Sequence, residues 1–216
     1  MRRLWLASAS PRRAQLLASI GVQIHQVICP QIDETPHTGE PSADYVRRMA
    51  REKAAAGWQR LPMQERPMAA LLSADTSVVL DGRILGKPDN DGHARQMLAL
   101  LSGREHQVLS AVTVITDNGV QDVLSESRVR FAALSDADIN AYVSSGEPMD
   151  KAGSYAVQGF GALFVEYLAG SYSGVVGLPL AETGQLLKLA QVPVWQQPLM
   201  RPWPVCFLSW KNYRTA

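Results

Sequence analysis

Five stretches of this chain combine residue types that can act on a phosphate or a phosphoanhydride. The first is Ser8-Ala9-Ser10-Pro11-Arg12-Arg13, where hydroxyls are followed at once by paired arginines. Free N–H groups and the positive dipole end of a helix N-terminus suit an anion, and guanidinium adds bidentate contacts. The same residues also read as a capped, solvated helix start. The second stretch is Asp33-Glu34. Neighbouring carboxylates on a loop are either solvated or the oxygen ligands that Mg²⁺ takes together with phosphates. The third is Ala74-Asp75-Thr76, directly after an apolar run. A carboxylate at the carboxyl end of a strand can deprotonate water or ligate a metal, or it can cap a turn. The fourth is Gly86-Lys87-Pro88, a lysine held by proline beside a glycine that lets a ligand approach. The fifth is the loop from Gly146 to Gly159, which carries Glu147, Asp150, Lys151 and Gln158. Gln158 offers one acceptor and two donors, which suits a base edge.

Other chemistries find no support. No GxxxxGK[ST] occurs, which argues against a P-loop nucleotidase, and no GxSxG marks an acyl-transfer hydrolase. His25, His37, His93 and His106 show no HxH, HExxH or Cys/His spacing, so zinc is not expected and His106 reads as structural. Cys29 and Cys206 lie outside any CxxC pair and read as free thiols of a reducing compartment.

The elements that must position these residues are legible in outline. Leu4 to Ala7 is a short strand. Ser10 caps a helix with Pro11 at its first position, ended by Gly21. Val22 to Ile28 alternates like a strand, and 29–41 is a loop. Ser42 caps a helix to Gly57 that carries Lys53 near its end. Met68 to Ser73 is a buried strand that delivers Asp75. Asp81-Gly82 turns a hairpin between 78–80 and 84–85. Asp91 to Leu101 is a helix. Two long strands, 108–116 and 120–131, meet at Asp117-Asn118-Gly119. Ser135 caps a helix to Val143, and 144–161 is a loop. Ala162 to Leu168 is a strand, and Ala181 to Leu189 the last helix, opened by Pro179. This irregular alternation predicts an α/β domain with a mixed sheet.

Composition agrees. The chain has 216 residues, 46% hydrophobic and 19% charged, so it folds as one domain with or without an appendage. A net charge of +1 argues against bulk nucleic-acid binding. The opening MRRLWLASAS imitates a signal peptide, but its apolar run is short and meets Pro11-Arg12-Arg13 at once. No apolar run reaches the length of a membrane span, so the expected address is the cytoplasm, with no membrane partner. Residues 193–216 carry Trp195, Trp203 and Trp210 without helical or strand period and read as an aromatic-anchored appendage to a domain of residues 1–192.

Seven ordered blocks resemble the Maf family of nucleoside triphosphate pyrophosphatases, once called septum-formation inhibitors. They are LASASPRR at 6–13, IDE at 32–34, YVRRMAREKA at 45–54, SADTSVVLDGRILGKP at 73–88, LSGREHQV at 101–108, GEPMDKAGSYAVQGFGALFV at 146–165 and GSYSGVVGLPLAET at 170–183. The resemblance implies a long curved mixed sheet flanked by helices around a central cleft, similar to inosine triphosphate pyrophosphatases. It implies hydrolysis of the α–β bond of a nucleoside triphosphate, with a divalent cation (Mg²⁺ or Mn²⁺). By resemblance Asp75 is the general base, Ser8, Arg13, Lys53 and Lys87 contact phosphate, and Glu34 and Asp75 hold the metal. Arg12, Thr76 and Gln158 match members that prefer dTTP and UTP; members that prefer 7-methyl-GTP carry Trp and Glu at the positions of Arg12 and Gln158. Ser110-Ala111 departs from the Thr-Gly more usual there. The 193–216 segment has no counterpart and leaves room for a homodimer contact. The alternatives are a pyrophosphatase for 7-methyl-GTP or a deaminated purine, and a non-enzymatic binding protein of cell division.

Overall fold

The computed structural model describes residues 1–196. Seven strands form one mixed sheet in the order β2-β1-β3-β5-β6-β7, with β4 paired to β3. The strands are β1 (Arg3–Ala7), β2 (Ile24–Ile28), β3 (Ala69–Leu80), β4 (Arg83–Leu85), β5 (Glu105–Thr116), β6 (Gly119–Phe131) and β7 (Val165–Ala169). The helices are α1 (Pro11–Ser19), α2 (Ser42–Gln59), α3 (Asp91–Leu101), α4 (Asp136–Ser144), α5 (Tyr172–Val176) and α6 (Leu180–Leu189).

The first half of the chain creates the site. β1 pairs in parallel with β2 on one side and β3 on the other. The chain therefore leaves β1 through α1 to one side and returns from β2 through α2 to the other. Right-handed crossovers running in opposite directions put their helices on opposite faces of a sheet. α1 and α6 accordingly cover one face, packing Leu17, Leu186 and Leu187 against Leu4, Leu6, Leu72 and Val112. α2 covers the other with Val46, Met49 and Ala50 against Val79, Leu109 and Ala111. Leu72 is fully buried, and truncating such a side chain to alanine typically costs about 2–5 kcal/mol. The carboxyl end of β1 is thus a switch point between two faces, the place where open α/β sheets put ligands.

A third cluster closes the far end of the sheet. Phe131 lies edge-on to His106, Tyr155 and Phe164, with α3 and α4 packed around them.

Several expectations are refined. β3 is one strand of 12 residues, so Asp75 lies mid-strand rather than in a turn after it. Pairing with β5 from Leu71 to Val79 carries the strand through. Ser10 holds the N-cap position of α1, but its side chain makes no cap bond. α2 is capped by Pro41, with Ser42 already helical, and runs on to Gln59. β7 starts at Val165 because 160–164 coil into a 3₁₀ turn. α5 had no sequence signal beyond its small residues. The Asp81-Gly82 hairpin forms as expected, both residues at positive φ, as a two-residue primed turn requires.

Of the 193–216 segment, residues 197–216, with Trp203 and Trp210, lie outside the described residues. Its first residues are docked: Val194 packs on the α1 layer, and the Trp195 and Gln196 N–H groups donate to Ile20 and Gly21 carbonyls. No helix among the described residues is long and apolar enough to cross a membrane.

Candidate active site

A cleft of about 560 Å³ opens at the carboxyl end of β1, and all nine residues singled out in the sequence line it. Ser8, Arg12 and Arg13 come from the β1–α1 junction, Glu34 from the loop after β2, and Lys53 from α2. Asp75 and Thr76 come from β3, Lys87 from the segment after β4, and Gln158 from the loop before β7.

The sheet itself leaves room for this cleft. Along one edge β3 pairs with β1 from Ala69 to Ser73 and with β4 from Val78 to Leu80. Residues 74–77 between them have no strand partner on that edge. Asp75 and Thr76 sit in this gap. Successive strand residues point to opposite faces, so the two neighbours serve different walls.

On the α2 face, Asp75 is buried, and its Oδ1 lies 2.8 Å from Lys53 Nζ. The same ammonium lies 3.0 Å from Glu34 Oε1. Lys53 therefore bridges two carboxylates that are 41 residues apart in sequence, 75 − 34. The Tyr45 hydroxyl donates to the Glu34 carbonyl at 2.9 Å and ties that loop to α2. Burial raises the Asp75 carboxyl above the usual carboxylate range, against the pull of Lys53 and Arg13. Burial, with Asp75 and Glu34 adding, pushes the Tyr45 phenol up to about 12.

On the α1 face, Arg13 donates to the Gly177 carbonyl at 2.9 Å, to Ser8 Oγ at 3.0 Å and to Thr76 Oγ1 at 3.5 Å. These contacts use three of its five N–H donors and leave two. Ser8 Oγ also accepts the Ser10 N–H, so its own proton stays available. Burial lowers the Arg13 pKa, partly opposed by Asp75. Arg12 pairs with Asp150 at 3.4 Å across the cleft mouth, and Asp150 also pairs with Lys151.

The wall that carries Gln158 is held by Glu147, a residue to which the sequence assigned no role beyond its place in the loop. Glu147 accepts the Tyr142 hydroxyl at 2.8 Å and the N–H groups of Phe160 and Gly161 at 3.0 and 3.1 Å. Burial pushes its carboxyl up, but these donors outweigh it and leave the pKa below the ordinary value. A side chain at Gly159 would meet the Glu147 carboxylate and have to displace it from these hydrogen bonds. Gly153 donates to the Gly86 carbonyl at 3.0 Å and joins this loop to the segment of Lys87. Gln158 is exposed, and among the described residues its side chain has no hydrogen-bond partner. Spacing alone hid Glu147; its one signal was a carboxylate opening a long glycine-rich loop.

Among the described residues no three His, Cys, Asp or Glu side chains gather as a metal cage. Glu34 and Asp75 supply two carboxylates, both paired with Lys53; a hard cation that takes one or two carboxylates and fills its shell with phosphate oxygens and water needs no more protein ligands than that.

The family model described as Maf-like protein matches residues 3–190. A Pasteurella multocida protein named dTTP/UTP pyrophosphatase is 52% identical over 188 residues, covering 85% of this chain and 94% of its own. Proteins of the same name from Alcanivorax borkumensis and Shewanella oneidensis are 51% and 52% identical, covering 89% and 88% of this chain and 98% of each relative. Among solved structures, the Staphylococcus aureus Ham1 protein aligns with a TM-score of 0.39 at 12% identity, over 61% of this chain and 72% of that one.

Proposed function

The chain belongs to the Maf-like protein family, and from that membership together with the cleft we infer that it hydrolyses dTTP and UTP to the monophosphate and pyrophosphate. The observation that carries the reading is Lys53, an ammonium shared by two carboxylates inside a cleft walled by arginines.

Cleavage of the α–β anhydride needs three things: neutralised phosphoryl oxygens, a positioned water, and an acceptor for its proton. Arg13 and Ser8 hold free donors for phosphate oxygens, and Lys87 adds a second cation from the opposite wall. An arriving triphosphate competes with Asp75 for Lys53. As the ammonium turns to phosphate, Asp75 is released as a base. Burial has raised its proton affinity, which suits it to take the proton of the attacking water. The water oxygen bonds to phosphorus, the bridging P–O bond breaks, and pyrophosphate leaves. A Mg²⁺ or Mn²⁺ held by Glu34 and Asp75 would supply charge neutralisation at the phosphates. Arg12, Thr76 and Gln158 meet the nucleoside. In this reading the catalytic unit is residues 1–192, and hydrolysis of free nucleotides suits a cytoplasmic protein.

The test is pyrophosphate release by the purified protein with Mg²⁺ or Mn²⁺, from dTTP, UTP, CTP, 7-methyl-GTP and ITP. Turnover of dTTP and UTP above the rest is expected. A folded protein that releases pyrophosphate from none of them would overturn the reading.

A further inference from the structure

Building on that reading of the substrate, we propose that Ser110, which does not line the cleft, sets the polarity with which Thr76 meets the pyrimidine and so separates thymine and uracil from cytosine.

The argument is a count of protons. Ser110 on β5 is buried, and its hydroxyl donates to the Gly174 carbonyl at 2.7 Å. A serine hydroxyl has one proton, which this bond uses. The 3.0 Å contact between Ser110 Oγ and Thr76 Oγ1 must then be donated by Thr76. A rival acceptor, the Gly177 carbonyl, is farther at 3.4 Å and already takes the Arg13 Nε–H at 2.9 Å. Arg13 Nη2 approaches Thr76 Oγ1 as a donor at 3.5 Å. The Thr76 hydroxyl is left with lone pairs alone to offer the cleft. Gly174 belongs to α5, so this short helix holds Ser110 in its donor role.

This polarity matters because the other base reader lacks one. Thymine and uracil present C4=O beside N3–H, whereas cytosine presents an amine beside a bare N3. The Gln158 amide has an acceptor and a donor side, and a half-turn of its terminal torsion matches either pattern. Gln158 by itself therefore accepts both bases. An obligate acceptor at Thr76 accepts N3–H and opposes the N3 lone pair. Leaving such a group unpaired or opposed is what makes hydrogen-bond discrimination steep.

The test is the ratio of kcat/KM for dTTP over dCTP in the wild type, Ser110→Ala, Thr76→Val and the double variant. Without Ser110 the Thr76 proton is free to turn toward the cleft. Ser110→Ala is expected to lower the ratio about tenfold, the scale of one net hydrogen bond, through KM for dTTP and a gain on dCTP, with kcat for dTTP kept within about threefold. Thr76→Val is expected to lower it similarly, and Ser110→Ala added to Thr76→Val to change nothing more. A merely structural Ser110 would still act in the Thr76→Val background, and that result overturns the proposal. So does an unchanged ratio in Ser110→Ala. If the alanine variant does not fold, Ser110→Cys keeps the volume with a poor acceptor and is read the same way. A wild type that turns over dTTP and dCTP equally overturns the substrate assignment, and the role of Ser110 with it; a wild type with the preference leaves that assignment standing whatever Ser110 does.

Discussion

Lys53 Nζ stands 2.8 Å from Asp75 Oδ1 while reaching Glu34 Oε1 at 3.0 Å, so a single ammonium from α2 holds the buried carboxylate in check. An arriving triphosphate, more anionic than the carboxylate, can draw the ammonium away from this buried and paired base. The contact thereby couples base activation to arrival of the phosphates.

Replacing Asp75 by Asn keeps the shape and removes the proton acceptor. Turnover of dTTP is expected to fall at least about a hundredfold, the scale of general-base loss, while nucleotide still binds. Steady-state kinetics with a binding titration checks this; retained turnover in a folded variant would remove Asp75 from the mechanism.

The pH profile carries the same assignment. Burial raises the Asp75 pKa, so its protonated form persists to higher pH than for an ordinary carboxyl. Activity should therefore fall on the acid side at a pH above about 4, the ordinary carboxylate range. Lys53→Met removes the opposing cation and should move that limb further up in a plot of log kcat/KM against pH. An acid limb unmoved in Lys53→Met would show that another group sets it.

Gln158→Glu replaces the amide by a carboxylate that cannot donate. Use of dTTP and UTP is expected to weaken by about tenfold or more, in line with one lost hydrogen bond and an added charge. A substrate panel reads the change, and an unaltered profile would count against Gln158 as a base reader.

Stability should depend on His106. Its imidazole is buried against Phe131 and Tyr155, and burial lowers its pKa from 6.5 to about 4. Between those values the unfolded chain binds a proton that the folded one does not. Stability is then full above pH 6.5 and declines as pH falls toward 4, by up to about 3 kcal/mol. Urea denaturation at pH 7.5, 5.5 and 4.5 measures this. His106→Asn should flatten that slope whatever it does to stability at neutral pH.

Much of this molecule could be read locally. The helix at Asp91–Leu101 stands where the sequence puts it, with the Asn90 side chain found capping it, and the hairpins at Asp81-Gly82 and before Gly119 follow from turn chemistry. These signals are confined to a few neighbouring residues, where propensity and capping act. The nine cleft residues were nameable as well, through the resemblance to the Maf family; their side-chain types suit phosphate chemistry, but each also has a solvated or capping reading on its own.

Their division of labour was not legible. Asp75 and Thr76 are neighbours in sequence, yet one meets Lys53 of α2 and the other Arg13 of α1. That separation exists because β3 runs unbroken through both, and only its long-range pairing with β5 keeps the strand extended there. Glu147 is one carboxylate of many until three donors from distant positions converge on it. Ser110 is an unremarked serine until burial commits its single proton to Gly174. The sequence by itself determined which chemical groups are present and which short segments coil or turn. The tertiary structure alone decided which groups face each other, because strand pairing and burial depend on partners tens of residues away, and hydrogen-bond roles follow only once those partners are in place.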